Sequence, residues 1–322
     1  MNFRTEIGVG VIGLGVGHGM KIFAVGSCFA TNISQRLARA KFDVAVNPFG
    51  VLFNPASIAL ALDRMVVGNA YTVNELATVG DLWFSWEHHG SLAASTQGEA
   101  VDKANAALAQ GVAALHDADV LIVTLGTAWV YERAGRVVGN CHKAPAAEFS
   151  RRRMETDEVV QTLAAAFAKL PGKRIILTVS PVRHIKDGLA ENSLSKATLI
   201  VAAHRLAEAD SRVAYFPAYE IVMDDLRDYR FYAADMLHPS EQAVDYIWEK
   251  FCEAAMSADT RKVVSEAEQL AAAMAHRPAN PAADSHRLFL KNMYSRCAAL
   301  AAARPELDLQ AELTYFGEYG RR

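Results

Sequence analysis

Apolar and polar positions follow two rhythms along this chain. Five short runs are near-continuous apolar: Lys21–Val25, Phe42–Val46, Val120–Leu125, Arg174–Val179 and Val213–Phe216. Such runs, lacking alternation, suit strands covered on both faces and predict a parallel sheet. Between them the pattern turns helical, over Phe29–Ala40, Pro55–Met65, Ala100–His116, Asp157–Leu170, Ser193–Ala209 and Glu241–Ala255. Ile33, Leu37 and Ala40 mark one apolar stripe, and Pro55 opens the second helix, where a missing N–H costs nothing. Strands alternating with helices predict an α/β fold: a five-stranded parallel sheet with right-handed crossovers, in a three-layer α/β/α sandwich. Ligand-handling groups in such a fold collect at the carboxyl ends of the strands.

After about Ser257 the strand signal stops. Thr260–Ala275 and Ser285–Ala303 are Ala-rich helical patterns, separated by Arg277-Pro278-Ala279-Asn280-Pro281. The chain thus divides into a main domain over 1–257, with a Gly-rich loop over 1–20, and a helical appendage over 258–322. The appendage is expected to pack on the core, cover the site or pair two copies as a homodimer. Tyr71–Ser95, with Trp83, Trp86, His88 and His89, is irregular and aromatic. It reads as a long loop or hairpin that walls a pocket, or as packing alone.

Composition narrows the function. A net charge of −3 gives no electrostatic reason to expect nucleic acid. The longest apolar runs are too short to span a bilayer, and the early glycines do not form a signal-peptide core. No membrane span and a cytoplasmic location are the expectations. Cys28, Cys141, Cys252 and Cys297 are scattered, without metal-ligand spacing. The run from Gly8 to Gly19 suggests a dinucleotide-binding fingerprint, but His18 stands where the third glycine should fall. It also precedes the first strand instead of following it. A mobile loop is the better reading, and no cofactor is expected.

The candidate chemistry lies where the first strand ends. Gly26-Ser27-Cys28 joins that strand directly to a helix, so a nucleophile there has free backbone N–H groups and the helix dipole beside it. Ser27 directly follows the glycine that bends the chain, whereas Cys28 is expected to face the core or lend its N–H to an oxyanion. A base is offered by Asp235-Met236-Leu237-His238, just ahead of the last helix of the alternation. A carboxylate three residues before a histidine in a turn can reach Nδ1 and leave Nε2 free. The competing reading is a capping Asp and a surface His. Further candidates are Gly50 in Asn47-Pro48-Phe49-Gly50, Gly126-Thr127-Ala128-Trp129, Asn140-Cys141-His142-Lys143, and Ser180 with Arg183 and His184 after the fourth strand. Ordinary turn chemistry is the alternative for each of these loops.

Together these blocks carry a resemblance. Val25-Gly26-Ser27-Cys28-Phe29-Ala30 resembles the motif that names the GSCFA family, a branch similar to the SGNH (GDSL-like) hydrolases. The likeness runs through Asn47–Gly50, Phe53–Pro55, Leu125–Trp129, Asn140–Lys143, Thr178–Arg183 and Asp235–His238, in family order, over about residues 20 to 255. It implies the SGNH, flavodoxin-like version of the sandwich, with Ser27 as nucleophile, His238 as base and Asp235 as its orienting partner. Gly50 takes the place of the second-block glycine. The third block departs, since Gly126-Thr127-Ala128-Trp129 lacks the usual asparagine. Thr127 or Asn140 is then expected to supply the missing oxyanion donor. Arg183 and His142 are expected on the substrate side or in a structural role. The function implied is serine-dependent hydrolysis of a small-molecule or carbohydrate ester through an acyl-enzyme. Alternatives are an O-acyltransferase acting on glycan and a non-catalytic carbohydrate-binding or assembly module.

Overall fold

A computed structural model describes residues 4–320. Residues 1–3 and 321–322, the outer ends of the N-terminal loop and the appendage, lie outside the described residues. In chain order the elements are β1 (Lys21–Gly26), α1 (Cys28–Arg39), β2 (Asp43–Val46), α2 (Pro55–Val67), β3 (Leu76–Val79), β4 (Leu82–Ser85), α3 (Gln97–Asp117), β5 (Val120–Leu125), β6 (Trp129–Arg133), β7 (Arg136–Val138), β8 (Ser150–Arg153), α4 (Thr156–Ala168), β9 (Arg174–Val179), α5 (Leu189–Ala209), β10 (Val213–Phe216), α6 (Ala218–Glu220), α7 (Glu241–Ala255), α8 (Ala258–Ala275), α9 (Asp284–Ala303) and α10 (Gln310–Gly320).

The five apolar runs form one parallel sheet in the order β10-β9-β5-β1-β2. β5 lies at its centre and is buried at every position. Odd positions of β1 face one core: Phe23 and Val25 pack with Leu121, Val123, Ile175 and the inner faces of α2, α3, α4 and α5. Even positions face the other, where Ile22 and Ala24 meet Ile122, Ile176, α1 and α7. Apolar side chains on both faces of each strand are why these runs show no alternation. Each fully buried aliphatic side chain contributes about 1.5–3 kcal/mol, so the two cores carry most of the fold. The chain leaves β1 toward β2 on one side and returns at β5 on the other. The carboxyl end of β1 therefore opens at the point where the strand order reverses, the usual place for a ligand crevice.

The structure changes several boundaries and adds elements. α3 starts at Gln97, where Thr96 accepts the Glu99 N–H as an N-cap. The aromatic Tyr71–Ser95 segment contains the β3–β4 hairpin. β6, β7 and β8 form a separate antiparallel sheet inserted after β5. In the appendage α8, α9 and the additional α10 close their own core around Leu270, Leu290, Cys297, Leu300 and Phe316. That unit docks through a Lys41–Glu312 ion pair of 2.5 Å and a Trp248 indole N–H donating to Glu268.

The Gly-rich segment is a loop, but its described part is fastened rather than loose. Ile12 and Val16 are buried, and their N–H groups donate to Ala254 and Ala255 carbonyls, both at 2.7 Å. The Arg174 guanidinium donates to the Leu14 and Gly15 carbonyls at 2.7 and 2.9 Å. These alternating apolar residues serve the second core, a role the glycine spacing hides. Among the described residues, no helix is long and apolar enough to cross a membrane.

Candidate active site

The β1–α1 turn is shaped by one glycine and one asparagine. Gly26 has φ +136°, and its N–H donates to Asn47 Oδ1 at 2.8 Å. Asn47 adopts a left-handed φ of +45° and also donates from Nδ2 to Thr31 Oγ1. The loop after β2 thus braces the turn before α1. Ser27 is the N-cap of α1 in extended geometry, but its side chain makes no capping bond. It is 1% exposed, and its Oγ is sealed and unpartnered. A buried hydroxyl left in that state costs about 1–3 kcal/mol. Cys28, the first helical residue, is only partly buried. Its thiol lies against its own N–H and that of Phe29. Among the described residues these two N–H groups have no other acceptor, whereas the Ser27 N–H donates to the Thr124 carbonyl at 3.1 Å.

Asp235 and His238 form a bonded pair. Asp235 Oδ2 lies 2.6 Å from His238 Nδ1, and Oδ1 accepts the N–H groups of Leu237 and His238 at 2.9 and 3.0 Å. Those backbone N–H groups, then the imidazole, hold the carboxyl down at about 2. The pair is half-exposed, and among the described residues no hydrogen bond reaches His238 Nε2. The loop is held in place from behind. The Arg183 N–H donates to the Leu237 carbonyl at 3.2 Å, and the Ala233 N–H to the His238 carbonyl at 2.8 Å. Ser27 Oγ and His238 are not hydrogen-bonded to each other. The charge of His238 acts on His184, and that of Lys196 acts on both His184 and Cys28.

The other sequence candidates are placed as follows. The Gly50 N–H donates to the Asn47 carbonyl at 2.8 Å and is not open to an oxyanion. Gly50 instead permits close approach, because a Cβ there would stand 2.3 Å from that of His89. Thr127 is also engaged: its N–H donates to the Phe53 carbonyl, and its hydroxyl bonds Ser195 Oγ and accepts from Trp129. Asn140 accepts the His142 N–H through Oδ1. His142 stacks on Phe84 at 3.8 Å with Nε2 on the Ser85 carbonyl. Burial lowers its pKa to about 4, so it is a neutral wall residue. The Arg183 guanidinium lies over the Tyr232 and Tyr229 rings, beside a groove of about 180 Å³.

His184, one of the candidates in the turn after the fourth strand, is half-buried, and the fully buried Lys196 escaped the sequence reading. His184 lies edge-on to Phe53, its N–H donates to Asn192 Oδ1, and burial lowers it to about 4. Lys196, on α5, is fully buried, and its Nζ donates to the Gly126 and Ser180 carbonyls at 2.7 and 2.6 Å. It joins the ends of β5 and β9 under the site. Burial pulls it down to about 7, with Cys28 opposing. The signal was its position: Asn192, Ser195, Lys196, Leu199 and Ala203 share one buried helix face.

Lys196 has a consequence for stability. Its folded pKa lies below the unfolded value of 10.5, so between the two the unfolded chain binds the extra proton. Stability then rises with pH over this window. From pH 7 to 9 the rise is about 2 kcal/mol. Urea titrations at several pH values should show it in the wild type and not in Lys196→Met; identical slopes would contradict it.

With this geometry in view, the comparisons fit the same elements. Residues 21–251 match the profile of the GSCFA family, and residues 267–319 that of the GSCFA domain protein, C-terminal domain. The chain belongs to the GSCFA family. No curated protein matches it.

Proposed function

We propose that this chain is an acyl-ester hydrolase of the SGNH (GDSL-like) type, acting through a covalent acyl-enzyme formed in the Gly26-Ser27-Cys28 turn. The observation that carries the reading is the 2.6 Å Asp235–His238 bond. It fixes the imidazole with Nε2 free, on a loop following the last sheet strand. His238 takes the proton of the attacking group, which adds to the ester carbonyl. Asp235 stabilises the imidazolium without taking the proton itself. The free N–H groups of Cys28 and Phe29 suit the developing oxyanion better than Gly50 or Thr127, whose donors are engaged. His238 then protonates the departing alkoxide, and water resolves the acyl-enzyme. Ser27 is the attacker that the family resemblance assigns.

The test is hydrolysis of nitrophenyl acetate by the full chain, followed from mixing. The expected result is a burst of nitrophenolate stoichiometric with protein, then slower turnover. Release at the buffer rate, in folded protein, would contradict the reading and favour a binding module. Adding a sugar acceptor separates water from a hydroxyl as the resolving group.

A further inference from the structure

We propose that Cys28, not Ser27, is the residue that carries the acyl group. The inference rests on the acyl-transfer reading above and assigns its attacking atom.

Three observations converge on the sulfur. Ser27 Oγ has under 1 Å² of accessible surface and no partner, so neither a substrate nor His238 reaches it without rearrangement of the N-cap. Cys28 is one position on, partly open to solvent, with two otherwise unused N–H groups at its thiol. Those groups stabilise negative charge as it forms on sulfur or on an adjacent oxyanion. Lys196 is the third observation. It is a fully buried ammonium for which the described residues provide carbonyl acceptors but no carboxylate. A buried cation without a counter-charge is costly. The acid whose charge acts on it is Cys28. Lys196 thus favours negative charge at position 28 as it develops. At rest burial raises the thiol's pKa, outweighing these aids, so the thiol is protonated and needs the base that Asp235–His238 supplies.

His238 Nε2 accepts the thiol proton, and the sulfur forms a C–S bond to the acyl carbon. The tetrahedral oxyanion collapses, the bond to the leaving oxygen or sulfur breaks, and His238 returns its proton to that atom. Water, deprotonated by His238, then attacks the thioester, the C–S bond breaks to release the acid, and His238 returns the proton to the departing sulfur. A thiolate departs more readily than an alkoxide, so a thiol attacker favours donors with good leaving groups. Aryl esters and thioesters are the substrate class that fits.

The experiment maps the acyl group after acid quench of the full chain during nitrophenyl acetate turnover. The tryptic peptide from Ile22 to Arg36 holds both candidates, and neutral hydroxylamine cleaves a thioester but spares an oxygen ester. Expected is a hydroxylamine-labile adduct on Cys28, formed in the wild type and also in Ser27→Ala. Cys28→Ala should lose about 10³-fold or more in turnover. Cys28→Ser keeps the shape and should convert any adduct to the stable form. A stable adduct on Ser27, with Ser27→Ala inactive and Cys28→Ala active, overturns this proposal and leaves the acyl-transfer reading standing. Absence of turnover and adduct in the wild type removes both.

Discussion

His238→Gln is expected to reduce kcat for an activated ester about 10³-fold while leaving the fold intact. The size follows from position and geometry. His238 is half-exposed and outside both cores, so its side chain contributes little to stability. Its ring is nevertheless held by a 2.6 Å bond, with the carboxylate itself fixed by two backbone N–H groups. Glutamine keeps polarity and approximate reach but cannot take a proton at neutral pH. Asp235→Asn should produce a comparable loss, because an amide can donate to Nδ1 and stabilise the wrong tautomer. The two changes act on one unit, so the double variant should be little worse than either single. The Asp235 carboxyl is held down at about 2, so it stays ionised throughout the working range. An acid limb in the rate profile above pH 4 therefore belongs to another group. Rates for the three variants, with far-UV spectra as the check on folding, decide the matter. Retention of activity in His238→Gln would remove the base from the account.

Gly26→Ala is expected to cost more than about 3 kcal/mol, or to yield insoluble protein. At φ +136° an alanine is strained whatever the space around it, and here there is none. Its Cβ would fall 2.1 Å from the Thr124 carbonyl oxygen, inside the β1–β5 pairing. Relief requires moving β1 away from the central strand. That also strains the Gly26 N–H bond to Asn47 and the Leu52 N–H bond to the Gly26 carbonyl. The urea midpoint, or partition into the insoluble fraction, measures it. A midpoint within error of wild type would mean that the turn relaxes in a way its backbone does not suggest.

Much of the fold was legible because fully buried strands show unbroken apolar runs. β1, β5, β9 and β10 fall where the runs Lys21–Val25, Val120–Leu125, Arg174–Val179 and Val213–Phe216 predict them, and α7 matches its pattern from Glu241 to Ala255. The small antiparallel pieces were not legible. β3, β4, β6, β7 and β8 are three to five residues long and mostly half-exposed, so polar residues interrupt any period. The Asp235–His238 bond followed from local spacing alone. The donors did not: the Thr127 N–H is taken by the distant Phe53 carbonyl, and the Gly50 N–H by the Asn47 carbonyl in a local turn whose left-handed Asn47 no spacing reveals. Lys196 was hidden for a related reason: a lysine is read as solvent-facing unless the helix face is drawn out, and that face begins before the residue chosen as its start.

In the proposed mechanism the β1–α1 turn is acylated under the control of His238. That step is tested most directly by acid-quenched mass mapping of wild type and His238→Gln after brief exposure to an aryl ester. An adduct on the peptide from Ile22 to Arg36 in the wild type, lost or greatly slowed in the variant, is the predicted result. An adduct confined to other peptides, or one formed equally fast without the imidazole, would contradict it.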